Sequence, residues 1–339
     1  MTNHKKITDK NHQSSNCNDA NSLLLPSGFY DLLFDEAKKN HDYINQILDG
    51  FFFRNYQLIK TPLVEFEENF NNDQNYFFDQ KQCFHSIDNI SGKKLILRND
   101  ITLQIKRLLT TRLQNIELPL KLCYVGDVFC ANNEELYGDR QQTQIGCEII
   151  GDKSEESNFD IIETTIEVLK KAGLTKLIIN FSLPDFLSVF VNQLSLNEIQ
   201  KQQLTKIILE KNLSAIKILT PQYYDLIKEI ILNNHNFIEL ISNIKKHFSS
   251  LDLNLELEKI TKIYQFIIEN FPLITPTFTF FIDNSRQYHH SFAFEIFYEN
   301  FTYPIAIAGR YKIITSNKTF DAVGSTIYIN HLRKINFKK

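Results

Sequence analysis

The sequence predicts an α/β protein in which a sheet flanked by helices is interrupted by a helical block. Three observations lead there: alternating apolar runs at Leu120–Phe129 and Arg140–Ile150, helical periodicity through 184–270, and strand character returning from Thr277 onward. Strands on both sides of a helical block imply that the chain comes back to the sheet it left. With 339 residues, 43% of them hydrophobic, the chain can bury the core of one large domain or two ordinary ones.

The elements follow in order. Residues 1–22 are rich in Asn, Lys, Ser and His, and read as a disordered tail. A short apolar stretch from Leu23 ends in a turn at Ser27-Gly28. Asp31–Arg54 reads as a helix, with Phe34, Ala37, Ile44, Ile47, Leu48 and Phe51 near the 3.6-residue period. Tyr56–Phe66 carries a proline and β-branched residues and suits an extended piece. Ser91-Gly92 between Cys83–Ile87 and Lys94–Arg98 predicts a hairpin. Asn99 or Asp100 would cap a helix running to about Leu113, with Ile101, Ile105, Leu108 and Leu109 on one face. Two strands come next, Leu120–Phe129 and Arg140–Ile150. A helix over Phe159–Ala172 stops at Gly173, and Leu177–Leu183 is a further strand. Residues 184–276 form an all-helical insertion punctuated by Pro184, Pro221 and Pro272. Strands are expected again at Thr277–Asp283, Phe292–Tyr298, Ile305–Ala308 and Val323–Ile329. The sheet-bearing core thus covers 23–183 and 277–335.

Composition removes several function classes. Thirty-seven Lys and Arg against 40 Asp and Glu give a net charge of -3, which disfavours a general nucleic-acid binder. Ten glycines form neither G-x-G-x-x-G nor G-x-x-x-x-G-K, so the common phosphate-cradling loops are absent. Cys17, Cys83, Cys123, Cys130 and Cys147 include no C-x-x-C pair and read as reduced thiols of a cytoplasmic protein. No apolar run approaches the roughly 20 residues of a membrane span. No H-x-x-x-H or G-x-S-x-G occurs, so neither a catalytic zinc nor a serine nucleophile is expected.

Three clusters could carry chemistry. On Arg140–Ile150, alternation puts Arg140, Gln142, Gln144, Gly146 and Glu148 on one face and Thr143, Ile145, Cys147 and Ile149 on the other. Gln144 and Glu148 stand about 13 Å apart at strand rise. They either touch two ends of a small polar ligand or line a solvated sheet face. Asp100, in Leu97-Arg98-Asn99-Asp100-Ile101-Thr102, either caps the following helix or faces a ligand ammonium. Tyr288-His289-His290 is a poor metal pair, because adjacent side chains on a strand point to opposite faces.

Taken in order, these segments resemble the catalytic core of class II histidyl-tRNA synthetases. The shared set is Leu25-Pro26-Ser27-Gly28-Phe29-Tyr30-Asp31, Leu97–Thr102, Arg140–Gly151, Tyr288–Ser291, Ala308-Gly309-Arg310-Tyr311 and Ala322-Val323-Gly324. The wording of Leu97–Thr102 and Arg140–Gly151 is closer to the family's non-catalytic paralogues, the regulatory subunits of ATP phosphoribosyltransferase. The resemblance implies a mainly antiparallel sheet flanked by helices. It also implies that Asp100, Thr102, Gln144, Glu148, Tyr288 and Tyr311 surround a bound histidine.

Where such synthetases hold ATP with arginines, the matching positions are Cys130 and His331, and Asn284 stands where a further arginine precedes the Tyr-Tyr element. Losing two charge-assisted contacts costs about 3–6 kcal/mol, or roughly 10²–10⁴ in rate. Seven residues follow Leu332, leaving no room for an anticodon-binding domain there. Amino-acid activation is therefore not expected, and no catalytic residue, cofactor or metal is assigned. The resemblance implies instead a subunit that dimerises and joins short-form ATP phosphoribosyltransferase catalytic subunits in a hetero-octamer. It would be needed for the first step of histidine biosynthesis and for feedback inhibition by histidine, with no nucleic-acid or membrane partner. The alternative is a divergent synthetase-like enzyme that activates an amino acid or related carboxylate.

Overall fold

A computed structural model of the chain describes residues 24–70, 80–132, 138–232, 237–248, 250–282, 289–315 and 318–336. The expected N-terminal tail, Asn284 and Tyr288 lie outside them.

Helix α1 (Phe34–Phe53) leads into two short strands, β1 (Gln57–Ile59) and β2 (Val64–Phe66). Its buried stripe begins near Tyr43 and runs through Ile47 to Phe51, whereas Phe34 is 86% exposed, so the predicted apolar face starts too early. The piece expected to be one extended segment over 56–66 is divided between two sheets, β1 pairing in one and β2 in the other. The predicted hairpin is present as β3 (Phe84–Ile87) and β4 (Lys94–Leu97), with Phe84 opposite Leu97 and Gly92 at φ 70. These strands join β2 in a three-stranded antiparallel sheet. Helix α2 (Thr102–Thr111) follows.

The main sheet starts with β5 (Leu120–Phe129) and β6 (Gln141–Ile150), paired antiparallel over their full length. Helix α3 (Glu156–Lys171) ends at Gly173, whose φ of 85 fits the predicted left-handed stop. Strand β7 (Leu177–Ser182) precedes the helical block: α4 (Phe186–Asn192), α5 (Glu198–Leu209), α6 (Leu213–Leu219), α7 (Tyr224–Leu232), α8 (Phe237–His247) and α9 (Leu251–Asn270). The chain returns through β8 (Thr275–Thr279), β9 (Ala293–Tyr298), β10 (Ala306–Ile314), β11 (Thr319–Tyr328) and α10 (Ile329–Asn336).

Eight strands lie in the order β1-β5-β6-β11-β10-β9-β7-β8. Only the outer pairs β1–β5 and β7–β8 are parallel, so the sheet is mainly antiparallel, as expected. Strand β8 is shorter than predicted because Phe280 and Phe281 leave the ladder to pack on Phe186 and Phe190, at ring distances of 5.0 and 5.3 Å. Phe237 of α8 also stacks on Phe278 of β8 at 4.2 Å. The block and the sheet therefore share one hydrophobic core. Strand β11 ends in a helix that alternation did not suggest; its signal is Ile329, Leu332 and Ile335 at i, i+3, i+6.

Each face of the sheet is covered. Ile145, Cys147 and Ile149 of β6 sit in one core with Ile47 and Phe51 of α1 and Ile161 and Ile166 of α3. On the opposite face, Ile101, Ile105 and Leu109 pack with Leu120, Leu122, Tyr124, Ile150 and Tyr311. The face predicted to be polar thus lies beneath α2, and Gln144 and Glu148 are 3% and 1% exposed. A solvated surface is ruled out at those two positions.

Candidate functional site

The register of the sheet assembles the site. Glu148 of β6 stands opposite Leu122 of β5 and Gly324 of β11. Its carboxylate lies over Gly324, where an added Cβ would come within 1.6 Å of Oε2. Glycine is needed there so that the acid can lie flat across the neighbouring strand. Three hydroxyls converge on it. Thr102 donates to Oε1 at 3.1 Å, Tyr124 to the same oxygen at 3.4 Å, and Tyr311 to Oε2 at 2.9 Å. Tyr124 in turn lies 2.9 Å from the Thr326 hydroxyl and above Gly146, where a Cβ would meet its oxygen at 2.5 Å.

Asp100 sits just before α2, whose N-cap position is Ile101. Its Oδ1 accepts the Thr102 backbone N–H at 2.6 Å, fixing the helix start. The Gln144 side chain donates to the same carboxylate. Gln144 Oε1 is buried and has no hydrogen-bond donor. The structure brings together Asp100, Thr102, Gln144, Glu148 and Tyr311 of the six expected residues. Sequence reasoning missed Tyr124 and Thr326. The available clue for Tyr124 was its period-two spacing from Leu122, which put its hydroxyl on the face of Glu148.

The electrostatics are one-sided. Burial pushes Glu148 up to about 8; the hydroxyls of Tyr311 and Thr102 oppose this, and the charge of Asp100 adds to it. Burial raises Asp100 as well, against the hydrogen bonds from Thr102, Gln144 and Leu103. The nearby His289 ring is neutral, because burial lowers it to about 4. The site is therefore a buried, acceptor-rich niche, suited to an ammonium group and further N–H donors.

The cations that could have gripped a polyphosphate are occupied elsewhere. Arg98 donates to the Asp127 carbonyl at 2.7 Å and to the Thr61 carbonyl and hydroxyl at 3.1 and 2.9 Å. Arg310 donates to the carbonyls of Asp152 and Ser154 at 2.8 and 2.9 Å, to the Ser157 hydroxyl at 2.6 Å and to Asn158. Arg140 packs over Phe84, 4.7 Å from the ring centre, and Arg333 over Tyr30 at the same distance. Arg54 is paired with Asp160, Glu163 and Glu167 of α3. Cys130 places its thiol on the Asn132 carbonyl at 3.1 Å. His331 is buried among Phe301, Tyr303 and Tyr328, with Nδ1 2.7 Å from the Pro304 carbonyl. A cavity of about 500 Å³ does open on the other side of the sheet, where Lys60 and Arg333 line it together with Tyr30, Asp127, Thr143 and Asn330.

Comparison with known proteins agrees with this architecture. The family model described as histidyl-tRNA synthetase matches residues 28–332. An ATP phosphoribosyltransferase regulatory subunit of Ruminiclostridium cellulolyticum is 28% identical over 329 residues, covering 91% of this chain and 75% of that protein. Another of that name, from Hydrogenovibrio crunogenus, is 31% identical over 210 residues, 62% of this chain; the match spans about half, 52%, of that relative's length. Among solved structures, an ATP phosphoribosyltransferase regulatory subunit/histidyl-tRNA synthetase from Bacillus halodurans superposes with a TM-score of 0.78 at 21% identity, over 92% of this chain and 82% of that one. A chain of an ATP phosphoribosyl transferase complex from Thermotoga maritima does so with a TM-score of 0.63 at 17% identity, over 86% and 97%. At such identities the superpositions establish the fold.

Proposed function

The chain belongs to the histidyl-tRNA synthetase family, and from that premise we propose that it is a non-catalytic regulatory subunit of ATP phosphoribosyltransferase that binds histidine beside Glu148. The observation that carries this reading is a buried carboxylate held by three hydroxyls, on a scaffold whose Arg98 and Arg310 are committed to protein carbonyls. The niche accepts hydrogen bonds, while Arg98 and Arg310 are held by backbone carbonyls. The names of the relatives support the regulatory assignment.

In this reading Glu148 and Asp100 receive the ligand ammonium, Gln144 orients it, and Tyr311 and Tyr288 frame the imidazole. The ammonium supplies a positive charge beside Glu148, whose hydrogen-bond partners are all hydroxyls. Binding of a cation favours ionised Glu148, so association releases a proton around neutral pH. The same reading has the chain dimerise in the cytoplasm and join a short-form catalytic subunit. Histidine then acts as an effector by binding one assembly state more tightly than another.

Mixing the full chain with a short-form catalytic subunit tests this directly. The expected outcome is co-purification, a rise in phosphoribosyltransferase activity, and loss of that rise on adding histidine. Histidine-dependent ATP–pyrophosphate exchange by the chain alone would instead establish an amino-acid-activating enzyme.

A further inference from the structure

His289, next to Tyr288, has no assigned part in ligand binding, yet the sheet places it at the site. Its position follows from the sheet register. Glu148 pairs with Gly324, Gly324 with Gly309, and Gly309 with Ala293, so these four residues form one row across β6, β11, β10 and β9. Directly paired residues of antiparallel strands project to the same face. The row is a floor of two glycines and an alanine running away from the Glu148 carboxylate. The carboxylate covers Gly324. The imidazole of His289 covers Gly309: a Cβ added there would meet Nδ1, Cγ and Cε1 at 2.4, 2.6 and 2.8 Å. Neighbouring strands lie about 4.8 Å apart, so the ring occupies the next column along the floor from the carboxylate.

The niche is also closed. Glu148, Gln144 and Tyr311 are 1, 3 and 2% exposed, and the 500 Å³ cavity opens on the other face. A ligand reaching Glu148 needs a protein group to give up space. Helix α2 and the strands are tied into the core, whereas His289 lies in the connection before β9, held by a hydrogen bond to the Arg310 backbone.

We propose that His289 is an intramolecular occupant of the ligand niche, whose imidazole rests on Gly309 until a free imidazole-bearing amino acid displaces it. This rests on the reading that the Glu148 site takes histidine. The tethered ring and the free ligand share an imidazole, but only the ligand brings an ammonium to the two acids. That difference lets an outside molecule displace a group already in place. The occupant also sets a threshold, because the apparent dissociation constant rises by the inverse of the fraction of time the niche stands open.

Calorimetric titration of L-histidine into the full chain, its His289→Ala variant and its His289→Phe variant tests the displacement. With the niche open about a tenth of the time, His289→Ala tightens binding about tenfold. His289→Phe keeps a ring over Gly309 and binds no tighter than the parent. His289→Asn, a milder truncation, gives the same direction should the alanine variant fold poorly. Free imidazole should bind the alanine variant and compete there with histidine, but should not bind the parent. Equal or weaker histidine binding by both truncated variants, with the parent binding, overturns the displacement and leaves the histidine reading intact. Absence of histidine binding in parent and variants alike overturns that reading and the displacement with it.

Discussion

Two acidic clusters in this molecule are built in opposite ways. Asp160, Glu163 and Glu167 on α3 surround Arg54 of α1 at 2.8–3.4 Å, and Lys121 closes on Asp160 at 2.5 Å. Glu163 and Glu167 remain 42 and 39% exposed. Charges of both signs are present, and the cluster fastens one helix to another. Glu148, by contrast, is surrounded by hydroxyls, and Asp100 is held by backbone and amide N–H groups with the charge of Arg98 acting on it through space rather than in a contact pair. A buried acid costs free energy unless something compensates it. The first cluster carries its compensation within the fold. The second gives Glu148 hydroxyls alone and Asp100 only the distant charge of Arg98, which leaves room for a cation from outside and separates it from a structural ion pair.

The contrast can be tested at both ends. Gly324→Ala should act most strongly, because its methyl would stand 1.6 Å from Glu148 Oε2 and drive the acid out of place. Histidine affinity should fall by about 100-fold or more, the worth of a displaced charge-assisted contact. Calorimetry showing parental affinity would remove Glu148 from the site. Glu148→Gln keeps the shape and deletes the charge, and should weaken histidine binding by about 10–100-fold.

The same variant should change the dependence of stability on pH. Glu148 is near 8 in the folded chain against an ordinary 4.5, so between those values the native state holds the proton and the unfolded chain has lost it. Stability should decline as pH rises from about 5 to 8, and Glu148→Gln should flatten that decline in urea titrations. An unchanged slope would show that the acid is solvated. Arg54→Ala should have the smallest effect. The half-exposed cluster is screened, so a loss of about 1 kcal/mol and a melting point lower by about 2–4 °C are expected, with histidine binding unaltered.

The order of strands and helices was largely legible because the core alternates at the right periods on both faces of β6. The same alternation separated Ile145, Cys147 and Ile149 from Gln144 and Glu148. It could not say whether the polar face met water or α2, since periodicity reports which residues share a side and not what covers it. Asp100 was legible as a cap or a ligand partner from its place before a helix, whereas Thr102 entered through resemblance alone. Tyr124 looked like one more apolar residue of its strand; its hydroxyl acquires a role only once pairing puts Gly146 beneath it. Phe280 and Phe281 read as strand, and only the helical block, distant in sequence, draws them out of it.

Arg310 and Tyr311 are consecutive on β10 and point to opposite sides of the sheet. The tyrosine hydroxyl touches the Glu148 carboxylate, while the guanidinium grips the carbonyls and side chains at the start of α3. A rigid strand between two such anchors works like the beam of a balance. Any shift of β10 that follows the carboxylate on one side would pull on the start of α3 on the other.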